Sequence, residues 1–116
     1  MRIDLDRPNS FYWWYDGEED VSTWRVTDSV IGTSVVKFDI DDPQTGDDSQ
    51  HIALRRQRNG FWEDLARGKH YYRGVLAKTS RSTIVSGTFV EDDEWEGVFF
   101  AVLPKTTPTR RAPRRS

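Results

Sequence analysis

The sequence of 116 residues contains no cysteine. Disulfides, thiolate chemistry and cysteine-based zinc sites are therefore excluded, and we expect a protein of the reducing cytoplasm. No segment approaches the ~20 consecutive apolar residues of a membrane-spanning helix. Residues 1–6 carry no apolar core of a signal peptide, so the sequence predicts neither a membrane span nor export.

Alanine and leucine, which favour helices, are also sparse, whereas valine, threonine and aromatic residues are plentiful. The hydrophobic fraction is only 35%, but 13% of the residues are aromatic, with 5 Trp, 4 Tyr and 6 Phe. A few large rings can fill a small core, because each buries ~150–250 Å². The composition therefore predicts a small protein dominated by β-strands.

The net charge of −2 conceals a difference between two parts of the chain. Residues 1–104 hold 12 basic and all 19 acidic residues, whereas residues 105–116 hold five basic residues and no acid. The final segment has no apolar pattern and contains two prolines, which is typical of disorder. We predict a lead-in over residues 1–10, one domain over residues 11–104 and a disordered basic tail over residues 105–116.

Three segments in the second half share a pattern in which glycine stands between two apolar residues, each two positions away. They are residues 72–76, 85–89 and 95–99. Residues two apart face the same side of a strand, so Gly74, Gly87 and Gly97 share a face with large side chains. A glycine in that position allows a strand to bend or another backbone to approach. The pattern predicts an all-β fold, an antiparallel meander closing into a small barrel of six to eight strands.

Alternating polarity predicts strands over residues 21–27, 35–40, 51–58, 70–78, 83–90 and 95–103. The segment 61–67 stays ambiguous, because Asn59-Gly60 favours a hairpin whereas the spacing of its apolar residues favours a short helix. The helix or an irregular turn is slightly preferred. The side chains predicted to face inward are Trp24, Val36, Phe38, Ile40, Ile52, Leu54, Tyr72, Leu76, Val85, Phe89, Trp95, Phe99 and Leu103.

Two short motifs resemble those of calycin-type barrels, the group of lipocalins and avidins. Ser22-Thr23-Trp24 is similar to the Gly-Thr-Trp that opens the first strand of avidin-type proteins, and Gly87-Thr88-Phe89 is similar to their later Gly-Thr-aromatic steps. The resemblance covers residues 21–103 at the level of pattern. It implies a barrel with a binding role and supplies no ligand.

The aromatic run of residues 11–15 is the first candidate for a binding surface. On one interpretation it is an edge strand whose alternate rings enter the core; on the other its exposed rings bind a partner. The main prediction is a non-enzymatic protein that binds a small apolar ligand or a protein partner, including a second copy of itself. The candidate binding residues are Trp13, Trp14, Tyr15, Trp24, Tyr72, Trp95 and Phe99.

A nucleic-acid-associated protein is the alternative, because bases and rings alternate over residues 55–73 and the tail is rich in arginine. The candidate contacts are Arg55, Arg56, Arg58, Lys69, Arg73, Arg110, Arg111, Arg114 and Arg115. An ordinary charged surface explains the same segment, since the acidic body repels phosphate.

Clustered carboxylates raise the question of a metal. Residues 39–48 hold five aspartates, but their spacing does not match the EF-hand, so we predict no metal and no cofactor. Residues 91–94 are all acidic and indicate a solvated turn or a knob that docks on a basic partner. His51 and His70 lie on different predicted strands, and no catalytic motif is present. Enzymatic activity stays open as a third hypothesis without candidate residues.

Overall fold

The computed structural model describes residues 3–46, 49–66 and 68–105, and its strands form one closed antiparallel barrel. The strands are β1 (Ser10–Tyr15), β2 (Ser22–Ile31), β3 (Val35–Asp41), β4 (Gln50–Arg56), β5 (Trp62–Asp64), β6 (His70–Lys78), β7 (Ser82–Glu91) and β8 (Trp95–Pro104). Each strand pairs with the next along the chain, and β8 pairs with β1. The predicted all-β meander barrel is confirmed, with eight strands.

Alternation of side chains builds the core, as predicted. On β3 the residues Val36, Phe38 and Ile40 are at most 1% exposed, whereas Lys37 between them is exposed. Every one of the eight strands contributes at least one side chain to the same apolar cluster. Since burial of apolar area contributes roughly 25 cal/mol per Å², this shared core is the main source of stability.

Strand β2 is longer than its predicted counterpart, which ended at Thr27. A bulge shifts the register between Val26 and Asp28, so that Ser29 rather than Asp28 is buried. A bulge inserts one residue and reverses the alternation beyond it. The alternating pattern therefore stopped at residue 27 although the strand continues to Ile31.

The preferred helix near residues 61–67 is wrong. The described residues 61–66 contain no helix, and Trp62–Asp64 pairs instead with β4 and β6 as a short strand. Asn59-Gly60 forms the turn before it: Gly60 has a φ of 91°, and Asn59 Oδ1 accepts from the Phe61 amide at 3.0 Å. The hairpin forms because Gly60 readily adopts a positive φ, because the Asn59 side chain closes the turn, and because Trp62, at 6% exposure, completes the core.

The repeated glycines lie on the inner face, as predicted, and each is required by a close approach. Gly74 and Gly87 are opposite each other, and a Cβ on Gly87 would collide with the Arg73 carbonyl oxygen and the Gly74 Cα. A Cβ on Gly97 would collide with the Phe89 ring and lie 2.6 Å from the Trp14 carbonyl oxygen. Neighbouring backbone and one ring therefore occupy the space that the missing side chains leave.

Strand β1 is not the edge strand that one interpretation required, because it pairs with both β2 and β8. Phe11 faces inward and is 1% exposed. Tyr12 faces outward, yet it is only 4% exposed, since residues of the lead-in cover it and the Asp4 amide donates to its hydroxyl at 3.2 Å. Trp14, also outward, stacks on Phe100 of β8 at 6.1 Å between ring centroids.

Of the predicted inward residues, Trp95 follows the inward alternation but is exposed at the rim. It is 55% exposed, because the hairpin between β7 and β8 projects beyond the barrel rim, where no opposite wall faces it. Trp24 and Leu76 are half-buried and pack against the core, and the others are buried.

Candidate functional site

A cavity of about 330 Å³ opens at one end of the barrel, where the hairpins β1–β2, β3–β4 and β7–β8 and the β5–β6 connection lie. We call this cavity the cup and the opposite end of the barrel the closed end. The cup is lined by Phe11, Trp13, Tyr15, Trp24, Ile40, Ser49, Gln50, Lys69, His70, Tyr72, Phe89 and Glu91.

A layer of rings forms the floor of the cup. Phe11 lies 5.9 Å from Phe99 and 6.1 Å from Phe38, and Tyr72 lies 5.2 Å from Phe99, between ring centroids. Below this layer the interior is filled by the ring of Trp62 and by smaller side chains that are fully buried, Val36, Leu54, Val85, Ala101 and Leu103. The ring layer therefore separates a packed half of the barrel from a hollow one.

Trp13 contacts three of the other rings that line the cup. Its ring is nearly perpendicular to those of Tyr15, Trp24 and Phe89, at centroid distances of 5.2, 5.7 and 6.1 Å. Its indole Nε1 is buried and has no hydrogen-bond acceptor within the described residues. The orientation of Trp13 is thus set by edge-to-face packing with its neighbours, an arrangement that aromatic pairs favour.

Hydrogen bonds between side chains hold the polar groups of the cup. The Tyr15 hydroxyl donates to Glu91 Oε1 at 2.6 Å, and His70 Nε2 lies 3.5 Å from the same oxygen. The Tyr72 hydroxyl donates to Gln50 Oε1 at 2.8 Å. These groups are anchored to one another and do not rotate freely into the cavity.

Burial and nearby carboxylates affect the two tyrosines of the cup. Loss of hydration raises the pKa of Tyr15 to about 12, with further contributions from the hydrogen bond to Glu91 and from the charges of Glu91, Glu18 and Asp92. Burial is also the main cause of the raised pKa of Tyr72, followed by the charges of Asp64 and Glu91. Both hydroxyls are therefore protonated at neutral pH and act as hydrogen-bond donors.

The rim of the cup is acidic. Its hairpins and loops carry the carboxylates of Asp16, Glu18, Glu19, Asp20, Asp42, Asp92, Asp93 and Glu94. Among the described residues of these connections, the basic side chain is that of Lys69. The connections at the closed end carry Arg58 and Arg81 and no carboxylate. The connections between strands at the two ends of the barrel thus differ in the sign of their charge.

The structure brings only some of the predicted binding residues together. Trp13, Tyr15, Trp24 and Tyr72 line the cup, and Phe99 lies in its floor. Trp14 is on the outer surface against Phe100. Trp95 stands on the rim with its ring 5.8 Å from that of Tyr15. The predicted set therefore divides into an inner group that shares one cavity and an outer group that does not.

Sequence reasoning missed the polar residues of the cup, His70, Gln50 and Glu91, and did not count Phe89 among the binding residues. The alternation of side chains along the strands could have identified the three polar residues. Each of the three polar residues lies two positions from a residue predicted to face inward: Tyr72, Ile52 and Phe89, respectively. Their polarity suggested that they lie on the outer surface in contact with solvent. At the end of a barrel strand, however, the inner face borders an open cavity, which also accommodates polar side chains.

The residues of the nucleic-acid alternative do not form a stacking platform within the described part of the chain. Trp62 and Tyr72 are buried, and Arg73 lies 3.9 Å from the centroid of Phe61 while its Nε donates to Glu63 at 3.0 Å. Arg55, Arg56, Arg58 and Lys69 are exposed on the surface. Arg67 and the tail residues 106–116 lie outside the described residues, so the role assigned to the tail stays a prediction.

No group of three or more histidine, aspartate or glutamate side chains is arranged to hold a metal in the described ranges, from which Asp47 and Asp48 are absent. The same residues contain no helix that is long and apolar enough to cross a membrane.

Comparison of the chain with protein-family models, with curated proteins and with solved structures finds no match. The barrel agrees with the architecture that the calycin resemblance implied. Membership of that group stays a prediction, and the argument for function rests on the cup alone.

Proposed function

We propose that this protein binds a small, largely apolar molecule in the cup. The observation that carries the proposal is the contrast within one barrel: the closed end is filled by buried side chains, whereas the cup is hollow and lined with rings. An aromatic-lined cavity that opens at one end of a closed barrel is a common form of ligand site.

The dimensions of the cup favour a compact ligand. Its volume of about 330 Å³ is at the lower end of the range for small-molecule sites, roughly 300–1,000 Å³. The flat faces of Trp24 and Phe89 offer large contact area with few rotatable bonds, so little side-chain entropy is lost when a ligand binds.

The polar groups support binding rather than a chemical step. Tyr15 is hydrogen-bonded to Glu91, and Tyr72 to Gln50, so these side chains satisfy one another. Groups fixed in this way orient a ligand, which is the usual role of the few polar residues in an apolar pocket.

The test is a titration with phenylnaphthylamine, a neutral fluorophore whose emission increases in apolar surroundings. We expect saturable binding of one molecule per chain, and loss of that binding in Ser49→Trp, because residue 49 lines the mouth and a large ring there fills it. The matched control is Ser80→Trp, an exposed position in the β6–β7 turn at the closed end, which should bind as the unmodified protein does. Absence of saturable binding, or an equal loss in both variants, would overturn the proposal.

A further inference from the structure

We infer that the ligand of the cup carries a cationic nitrogen, and that its chemical class is an organic ammonium ion. The inference rests on the proposed function and identifies the class of ligand for the same cavity. Three independent observations lead to it: the geometry of the rings, the position of one carboxylate and the charge of the rim.

The rings of the cup are arranged as the walls of a box. Trp13 is nearly perpendicular to Tyr15, Trp24 and Phe89, with interplanar angles of 79°, 89° and 78°. Rings that line one cavity at right angles to one another are oriented in more than one direction around it. Because the face of an aromatic ring carries partial negative charge, such a set of rings favours a cation, and quaternary ammonium groups are recognised by aromatic rings in this way.

Glu91 adds a full negative charge inside this box. Its side chain is only 20% exposed, it lines the cavity, and the Tyr15 hydroxyl fixes Oε1 at 2.6 Å. Two of the lining residues are basic. Lys69 is exposed at the rim, and His70 Nε2 lies 3.5 Å from Glu91 Oε1. An anionic ligand would therefore have to approach a carboxylate that has little access to water.

The electrostatic effects on the cup tyrosines have the same sign. The charges that raise the pKa of Tyr15 come from Glu91, Glu18 and Asp92, and the charged groups that raise the pKa of Tyr72 include Asp64 and Glu91. These carboxylates belong to three segments of the chain: the β1–β2 connection, β5, and the end of β7 with the turn that follows it. The interior of the cup is thus a region of negative potential, which concentrates cations and steers them toward the opening.

The experiment compares two probes of the same shape, phenyltrimethylammonium and tert-butylbenzene, in which a neutral carbon replaces the charged nitrogen. Binding is measured as the change in tryptophan fluorescence, and competition with phenylnaphthylamine shows that both probes occupy the cup. We expect the cation to bind roughly fiftyfold more tightly than its neutral isostere, because the cation–π interaction and the charge of Glu91 both favour it. Equal affinities, or tighter binding of the neutral probe, would overturn the inference.

Two variants separate the contribution of charge from that of the rings. Glu91→Gln keeps an oxygen that accepts from Tyr15 but removes the charge, so we expect about a tenfold loss for the cation and no change for tert-butylbenzene. The control is Glu96→Gln, which removes the same charge from an exposed position on the outside of the barrel and should alter neither affinity by more than about twofold. If Glu96→Gln weakens the binding of the cation as much as Glu91→Gln does, the effect comes from the net charge of the protein and the inference fails.

Trp24→Leu is the second variant, since it keeps an apolar wall and removes an aromatic face. It should weaken the binding of phenyltrimethylammonium about fivefold and the binding of tert-butylbenzene by less than about 2.5-fold. Equal losses for the two probes would show that Trp24 provides apolar area only and would contradict the cation–π argument. If neither probe displaces phenylnaphthylamine although the fluorophore binds, only the ammonium inference fails; if the fluorophore does not bind either, the proposed function fails as well.

Discussion

The two halves of the barrel interior are enclosed by the same strands and differ in almost every other respect. In the closed half, branched aliphatic side chains such as Leu54, Val85 and Leu103 are fully buried and fill the space. In the cup, rigid rings such as Trp13 and Trp24 meet nearly at right angles and leave a cavity between them. In the closed half the aliphatic side chains and Trp62 interdigitate and fill the interior, whereas the rings that line the cup leave space between them. The size and shape of the inward residues, rather than the closure of the sheet, decide where the barrel is hollow.

The connections at the two ends differ in a parallel way. At the closed end they are short, residues 32–34, 57–61 and 79–81, and their charged side chains are arginines. At the mouth they include the longer segments 16–21 and 42–49 and are rich in carboxylates. Loops of a barrel commonly carry function while the strands provide a rigid frame, and the proposed binding site lies at the end with the longer, acidic loops.

The largest expected effect tests whether the closed half is packed and the cup is hollow. Leu54→Ala removes three carbons from the packed half and leaves a new enclosed cavity, so we expect a loss of about 4 kcal/mol in the free energy of unfolding. Ile40→Ala removes the same number of carbons from a residue that is equally buried but borders the cup. There the deletion enlarges an existing cavity, and we expect a loss of about 2 kcal/mol. Urea unfolding of both variants measures the difference, and equal losses would contradict the contrast.

A smaller effect tests the close approach of β6 and β7 that brings both halves into one closed sheet. Gly87→Val should cost about 2–3 kcal/mol, because its Cβ would collide with the backbone of Arg73 and Gly74 and the strands would have to separate. Ser86→Val, one residue away on the outer face, should cost less than about 0.5 kcal/mol. Thermal unfolding compares the two, and equal melting temperatures would remove the argument from strand bending.

The smallest effect concerns the polar groups of the cup. Because the pKa of Tyr15 is raised from 10.0 to about 12, the folded protein binds this proton more tightly than the unfolded chain does. Stability from this source is complete below pH 10 and is lost as the pH rises toward about 12. Unfolding free energies measured across that window should therefore fall less steeply in Tyr15→Phe than in the unmodified protein. The difference will be small, since solvent screens a partly exposed group, and identical slopes would show that the environment of Tyr15 is not as described.

Most of the barrel was predictable because side chains alternate between the inner and the outer face along its strands. The alternation of β3 and β4 and the glycine pattern of the last three strands gave the fold and nearly all the inward residues. The failures occurred where a distant interaction prevailed over the local pattern. The bulge after Val26 reversed the alternation, and hairpin pairing of residues 62–64 prevailed over the helical spacing of Phe61, Trp62 and Leu65. Trp95 continues the correct alternation to the rim of the barrel, where its side chain is exposed.

The cup was predictable only in part. Large inward aromatics such as Trp24 and Tyr72 stand out in a sequence, whereas Glu91 appears as one of four consecutive acids in a turn. Its position depends on the register of β7 against β8, which places it on the inner face at the rim. A cavity is also a property of how side chains meet, and the perpendicular packing around Trp13 has no signature along the chain.

The pairing of β1 with β8 also determines when this barrel can be completed. Six residue pairs, from Ser10 with Val102 to Tyr15 with Gly97, join the first strand to the last. During synthesis β1 emerges first and has to wait for nearly the whole chain before one of its two neighbours exists. Contacts between such distant segments are slow to form, because the closure of a long loop is entropically unfavourable. Until β8 is present, the five consecutive aromatic residues of β1 lack one of their two neighbouring strands, and an unpaired apolar strand of this kind favours aggregation during folding.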